Sequence, residues 1–157
     1  MKMLAWVTMA VCLVTVSAYA RAEVTQKDLQ VTARALSFME SPFVGETRVG
    51  IVYDPDNARS MRQAEKIRGM LEGGLQSGEL TLVPVMVPVG DAANANVDLF
   101  FLTEYLGDIS TTISELVSSK ALPCVTVDIP QVRKGACVMG VQSAPDVQIL
   151  VNRQAAD

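Results

Sequence analysis

Histidine is absent from the sequence. That removes every Ser-His-Asp triad and every histidine-based metal site, and with them the side chain most often used for proton transfer at neutral pH. Positive charge is scarce as well: 13 Lys and Arg stand against 17 Asp and Glu, for a formal net charge of -4. Neutralising a phosphate backbone needs the opposite excess, so the balance argues against nucleic acid as a partner. A basic patch for a membrane surface is missing for the same reason. No internal repeat, linker or low-complexity tract interrupts the chain, and at 157 residues it has room for one domain and not for two. A phosphate-cradling loop is also lacking. Gly73-Gly74 and Gly78 have no Gly-Lys-Ser/Thr ending and follow a helical pattern instead of preceding one.

What is present begins with an address. Lys2 opens the chain, an apolar run of 13 residues extends from Leu4 to Val16, and Ser17-Ala18-Tyr19-Ala20-Arg21-Ala22 follows. This is the three-part grammar of a secretory signal, with cleavage expected after Ala20 or Ala22. The run is too short for a spanning helix, which needs roughly 20 residues. Cys12 lies inside it, without the small-residue context of a lipoprotein cysteine. Removal of residues 1–22 takes Lys2 and Arg21 away and leaves 11 basic against 17 acidic residues, a mature charge of -6. The expected working unit is a single acidic periplasmic domain, residues 23–157.

Within it, Leu29, Ala33, Leu36, Met39 and Phe43 recur at helical spacing after Asp28, which reads as the helix start. Val49-Gly50-Ile51-Val52-Tyr53 is a continuous apolar run, the pattern of a strand covered on both faces. Asp54-Pro55-Asp56-Asn57 then turns the chain into a helix carrying Met61, Ala64, Ile67, Leu71 and Leu75, which Gly73-Gly74 stops. Leu80 to Val87 reads as a strand, placed at a sheet edge because Pro84 sits within it and Pro88 closes it. Gly90 to Asn96 is too short for a confident helix. Asp98 to Thr103 reads as a central strand, and Asp108 as the cap of a helix with Ile109, Ile113, Leu116 and Val117. Cys124 to Val127 forms another buried strand, Ile129 to Lys134 a short connection, and the runs flanking Ser143-Ala144-Pro145-Asp146 an antiparallel hairpin. Met39, Met61 and Met70 read as core filler. The fold expected is α/β: a mixed, mostly parallel sheet of five to six strands, with helices on its faces and a C-terminal β-hairpin.

If the central strands are parallel, Asp54, Glu104 and Asp128 fall at or just beyond their carboxyl ends, where open α/β sheets bind ligands. Asn57 and Ser60, at the start of the next helix, add polar groups to that crevice. Paired carboxylates are formally able to act as acid and base, but nothing in the spacing singles out a hydrolase. The plainer reading, and the weightier, is that Asp54 and Asn57 cap a turn and a helix while Asp128 caps the short connection. Cys124 and Cys137 are the cysteines left after processing, in a compartment that oxidises thiols. If residues 123–138 formed an antiparallel pair, the two would lie directly opposite and within reach of a disulfide. Two buried free thiols are the equal alternative, and parallel strands would weaken the bridge. Without histidine, the pair makes a poor zinc site.

The segments Pro123-Cys124-Val125-Thr126-Val127-Asp128, Gly135-Ala136-Cys137-Val138-Met139-Gly140 and Val147-Gln148-Ile149-Leu150-Val151-Asn152, with Ala155-Ala156, resemble the YfiR-like family of small periplasmic proteins. The order of elements agrees over nearly the whole mature chain, while the motifs lie in residues 122–156. Two features depart from the family: Ser37-Phe38-Met39-Glu40-Ser41-Pro42 stands where an aromatic-rich helix end is usual, and the family's final helix after Ala156 is lacking. The resemblance implies a non-enzymatic regulator with no catalytic residue and no cofactor. Its implied partner is the periplasmic domain of an inner-membrane diguanylate cyclase, whose cytoplasmic output it restrains in cyclic-di-GMP and biofilm control. A homodimer is implied too. A weaker resemblance, in Val49 to Asn57 and Val97 to Thr103, is to one lobe of the periplasmic substrate-binding proteins of ABC transporters, which implies a small-molecule ligand.

Overall fold

A computed structural model of the chain describes residues 23–39, 43–107 and 110–153. The leader, the residues around Pro42, the Asp108 cap with Ile109, and the closing Ala155-Ala156 lie outside the described residues. The elements run α1 (Gln26–Leu36), β1 (Gly45–Tyr53), α2 (Ala58–Leu71), β2 (Leu75–Ser77), β3 (Leu80–Pro88), a 3-10 helix (Val89–Asn94), β4 (Leu99–Leu102), α3 (Ser110–Lys120), β5 (Cys124–Thr126), α4 (Ile129–Arg133), β6 (Met139–Gln142) and β7 (Gln148–Val151). One seven-stranded sheet takes the order β2-β3-β1-β4-β5-β6-β7. The five inner strands are parallel, and β2 and β7 close the two ends antiparallel. The fold is thus the mixed, mostly parallel α/β sheet expected, with one strand more than the sequence pattern counts.

Period-two alternation divides the core. Leu99 and Phe101 of β4 point to the side covered by Leu29, Ala33 and Leu36 of α1 and by Ala64, Ile67 and Leu71 of α2. Phe100 and Leu102 point to the other side, against Ile113 and Val117 of α3 and Val132 of α4. Burial on both faces is why β1 and β4 read as unbroken apolar runs, for neither has a solvent face to make polar.

Three local readings are corrected. Thr25, not Asp28, is the N-cap of α1; Asp28 is its third residue and completes a capping box with Thr25. β3 is not the edge strand, because β2 pairs with it over Leu80 to Leu82. Beyond Leu82 that side of β3 is free, and Pro84 and Pro88 both fall in the free stretch, where missing N–H groups cost no ladder bond. The third concerns Met39 and Met61, which are 38% and 41% exposed instead of filling the core. Gly73 and Gly74, with φ of 84° and 85°, end α2 as expected and turn the chain directly into β2.

β1 and β4 are clamped at their entry by Arg48 and Asp98. The Arg48 guanidinium donates to Asp98 Oδ2 at 3.1 Å and Oδ1 at 2.9 Å, and the Arg48 N–H donates to Oδ2 at 2.7 Å. These hydrogen bonds, first those from the guanidinium, hold the Asp98 carboxyl below its ordinary value against a smaller upward push from burial. A carboxyl depressed in the folded state stabilises the fold above its unfolded pKa of about 4 and stops doing so as pH falls through the lower folded value. Asp98→Asn is therefore expected to be less stable than the native chain at pH 7, with the gap closing on acidification below about pH 4. Urea midpoints of the two proteins from pH 7 to pH 2.5 check this; a gap independent of pH overturns it.

Candidate functional site

The direction of winding reverses beside β1. From β1 the chain passes through α2 to β3 on one side, and β4 then returns to the other side of β1. The carboxyl ends of β1 and β4 therefore part at a topological switch point, the place where open α/β sheets form a crevice. Asp54, Asn57 and Ser60 follow β1, Thr103, Glu104 and Tyr105 follow β4, and Asp128 follows β5 one strand further along.

The side chains there are tied mostly to one another. Asn57 caps α2, its Oδ1 accepting from the N–H groups of Arg59 at 3.0 Å and Ser60 at 3.4 Å, while its Nδ2 donates to Tyr105 O at 3.2 Å. Ser60 is fully buried. Its Oγ accepts from the Asp54 N–H at 2.9 Å and lies 2.7 Å from Thr103 Oγ1, which donates onward to Val52 O at 2.9 Å. Because Thr103 spends its proton on Val52 O, Ser60 must donate to Thr103. A buried serine so placed braces the turn after β1 against the end of β4.

Asp54 Oδ1 accepts from the Asp56 N–H at 2.9 Å, as the capping reading requires. Asp128 departs from that reading. It stands at the N-cap of α4, but its side chain makes no cap bond; its Oδ2 accepts instead from Gln131 Nε2 at 3.2 Å, which also reaches Thr103 O at 3.4 Å. Gln131 Oε1 is buried with no hydrogen-bond partner. Glu104 is buried, and its N–H donates to Gln63 Oε1 at 2.6 Å. The structure thus links Asn57 and Ser60 to the β4 end directly, Asp54 through Ser60, and Asp128 through Gln131.

Gln63, Thr103, Tyr105 and Gln131 were not picked out by the sequence reading. Thr103 carried one usable signal, as a hydroxyl ending an apolar strand; the glutamines carried none, since their partners are distant in the chain. Beside the crevice, Arg59, Arg62, Gln63, Glu104 and Tyr105 line an open groove of about 790 Å3. The Arg59 guanidinium lies over the Tyr105 ring, 5.5 Å from its centroid. Among the described residues no cluster of three cysteine or carboxylate side chains stands ready for a metal ion.

Cys124 and Cys137 are joined as a disulfide with Cα atoms 4.9 Å apart. The bridge holds although β5 and β6 are parallel and not the antiparallel pair that would have placed the cysteines opposite. The chain climbs from β5 into α4 and returns to the start of β6, so Cys137 arrives beside Cys124 at the entry end of the two strands. Gly140, on β6, lets α4 lie close: a Cβ there would stand 2.7 Å from Val132 Cγ2. A bridge of this kind fits an extracytoplasmic protein, and no helix among the described residues is long and apolar enough to cross a membrane. No protein-family model and no curated protein matches the chain.

Proposed function

We propose that this protein is a non-enzymatic periplasmic regulator that binds the periplasmic domain of an inner-membrane diguanylate cyclase and restrains its output. The observation that carries the reading is where apolar surface is left uncovered. Phe38 is 77% exposed and Val44 63%, with Met39 beside them in sequence. Phe38, Phe43 and Val44 line a groove of about 540 Å3, with Arg34 and Glu79 among its other lining residues. An exposed aromatic beside apolar and charged residues has the makeup of a protein-contact surface. The crevice residues, in contrast, spend their hydrogen-bonding capacity largely inside the fold. The resemblance adds support: its three motif segments form the adjacent strands β5, β6 and β7, braced by the disulfide and by Asn152 Nδ2 donating to Val132 O at 2.8 Å.

Regulation then works by population shift. A partner bound preferentially in its inactive state is held there, by no more than the difference between its affinities for the two states. Deleting the gene in the source bacterium is expected to raise cellular cyclic-di-GMP, and restoring it to lower the level again. Phe38→Asp is expected to keep the native unfolding midpoint yet fail to restore the low level or to co-purify the cyclase. No change in cyclic-di-GMP on deletion overturns the regulator reading.

A second reading, a small-molecule binding module, draws on the groove beside the switch point, where Arg59 and Arg62 face the buried Glu104. It predicts saturable ligand binding that Arg59→Ala and Arg62→Ala, in the groove wall, weaken, with regulation of the cyclase untouched.

A further inference from the structure

The groove beside the switch point holds positive charge that its own residues do not neutralise. Glu23, Glu65 and Glu104 line it together with Arg59 and Arg62, but the three carboxylate residues are already engaged. Glu23 pairs with Lys66 Nζ at 2.8 Å and Glu65 with Arg68 Nε at 2.8 Å, and neither cation lines the groove. Glu104 is buried and engaged within the fold. Among the described residues neither Arg59 nor Arg62 takes part in an ion pair. The two stand three positions apart on α2, the spacing of neighbours on one helix face. An acidic chain thus keeps two guanidinium groups side by side without a carboxylate for either.

Tyr105 makes one of them a fixed donor. Its φ is 65°, a conformation that bulky residues rarely adopt and that persists mainly where a position serves a site. Asn57 Nδ2, donating to Tyr105 O at 3.2 Å, holds it there. The ring so placed lies under the Arg59 guanidinium, 5.5 Å from centroid to carbon. A guanidinium resting on an aromatic face keeps its N–H edges in plane and open to a bidentate oxyanion.

We propose that the groove binds a small organic dianion, Arg59 taking one oxyanion group edge-on and Arg62 supplying the second positive charge. The proposal rests on the second reading above, the small-molecule module, and adds the charge of the ligand to it. A volume of about 790 Å3 suits an occupant of metabolite size, since small-molecule sites run from about 300 to 1,000 Å3. A singly charged ligand leaves one guanidinium uncompensated. Phosphate monoesters and dicarboxylates both meet the requirement.

Calorimetric titration of residues 23–157 at low salt with glycerol 3-phosphate, and separately with succinate, distinguishes these two sources. At least one is expected to bind saturably with a Kd below about 1 mM, and neither glycerol nor acetate at equal concentration to compete. Arg59→Ala and Arg62→Ala are each expected to weaken binding by about tenfold or more, the loss of one charge-assisted contact. Arg153→Ala, beyond β7, is expected to leave it unchanged, and all three variants to keep the native unfolding midpoint. Binding that survives both groove substitutions, or that glycerol or acetate displaces, overturns the proposal. Failure of both dianions overturns it as well, and the second reading falls with it only if neutral sugars and free amino acids also fail to bind.

Discussion

Asp28→Ala is expected to lower stability by about 3 kcal/mol, one of the two largest losses anticipated in the fold. Asp28 is 5% exposed, and both of its carboxylate oxygens are occupied. Oδ2 accepts from the Thr25 N–H and Oγ at 2.7 Å each, and Oδ1 accepts from the Ser143 N–H at 2.7 Å. Two separate losses follow from truncation. The first turn of α1 loses half of its capping box, an effect of about 1 kcal/mol. The Ser143 N–H, between β6 and the hairpin turn, is left buried without an acceptor, which costs roughly 1 to 3 kcal/mol. Because those groups lie 115 residues apart in sequence, the carboxylate pins the first helix to the last hairpin. Asp28→Asn is expected to lose less, since its amide oxygen still serves Ser143 while its NH2 meets the Thr25 N–H. Thermal unfolding checks the order, with a fall of about 10 °C expected for alanine. Equal midpoints for Asp28→Ala and the native chain would sink the argument.

Removing the disulfide is the second. Cys124 and Cys137 are 13 positions apart, and freeing a loop of that size returns to the unfolded chain an entropy worth about 3 kcal/mol. Both cysteines are buried in the α3 and α4 half of the core, so the paired Cys124→Ala, Cys137→Ala variant also loses sulfur contacts there. The native protein in reductant and the double variant are expected to unfold at similar denaturant concentrations, both well below the oxidised protein. Thiol labelling of denatured, unreduced residues 23–157 is expected to find no free thiol. Two per chain would reject the bridge.

How far the sequence could be read depends on the range of the interactions involved. The strands β1, β4 and β5 were legible because burial on both faces forces a continuous apolar run, a signal carried within each segment. β2 was not. It has three residues, and its pairing with β3 depends on the turn at Gly78 and not on composition. Asn57 was legible as a cap because its partners are the next few N–H groups. Ser60 was legible as a position but not as a role, since its contact with Thr103 spans 43 residues. Gln131 shows the limit most plainly: a glutamine in a short connection carries no local mark, yet it joins Asp128 to the end of β4.

The cysteines mark the same boundary. Their number and the oxidising address made a bridge an even choice from sequence, and the antiparallel geometry that would have favoured it is not the one adopted. Strand direction is set by the α4 crossover, whose packing on β6 needs the close approach at Gly140. By itself, then, the sequence determined the absence of histidine chemistry, the acidic balance, the alternation of strands and helices, the hairpin, the Asp54 turn and the Asn57 cap, because each depends on residues a few positions apart. Only the tertiary structure decided the strand order, the switch point between β1 and β4, the bridge across parallel strands, and which apolar residues stay uncovered at Phe38 and Val44. Those depend on which distant segments meet, and a hydrophobic pattern states that a side chain seeks cover without stating what will cover it.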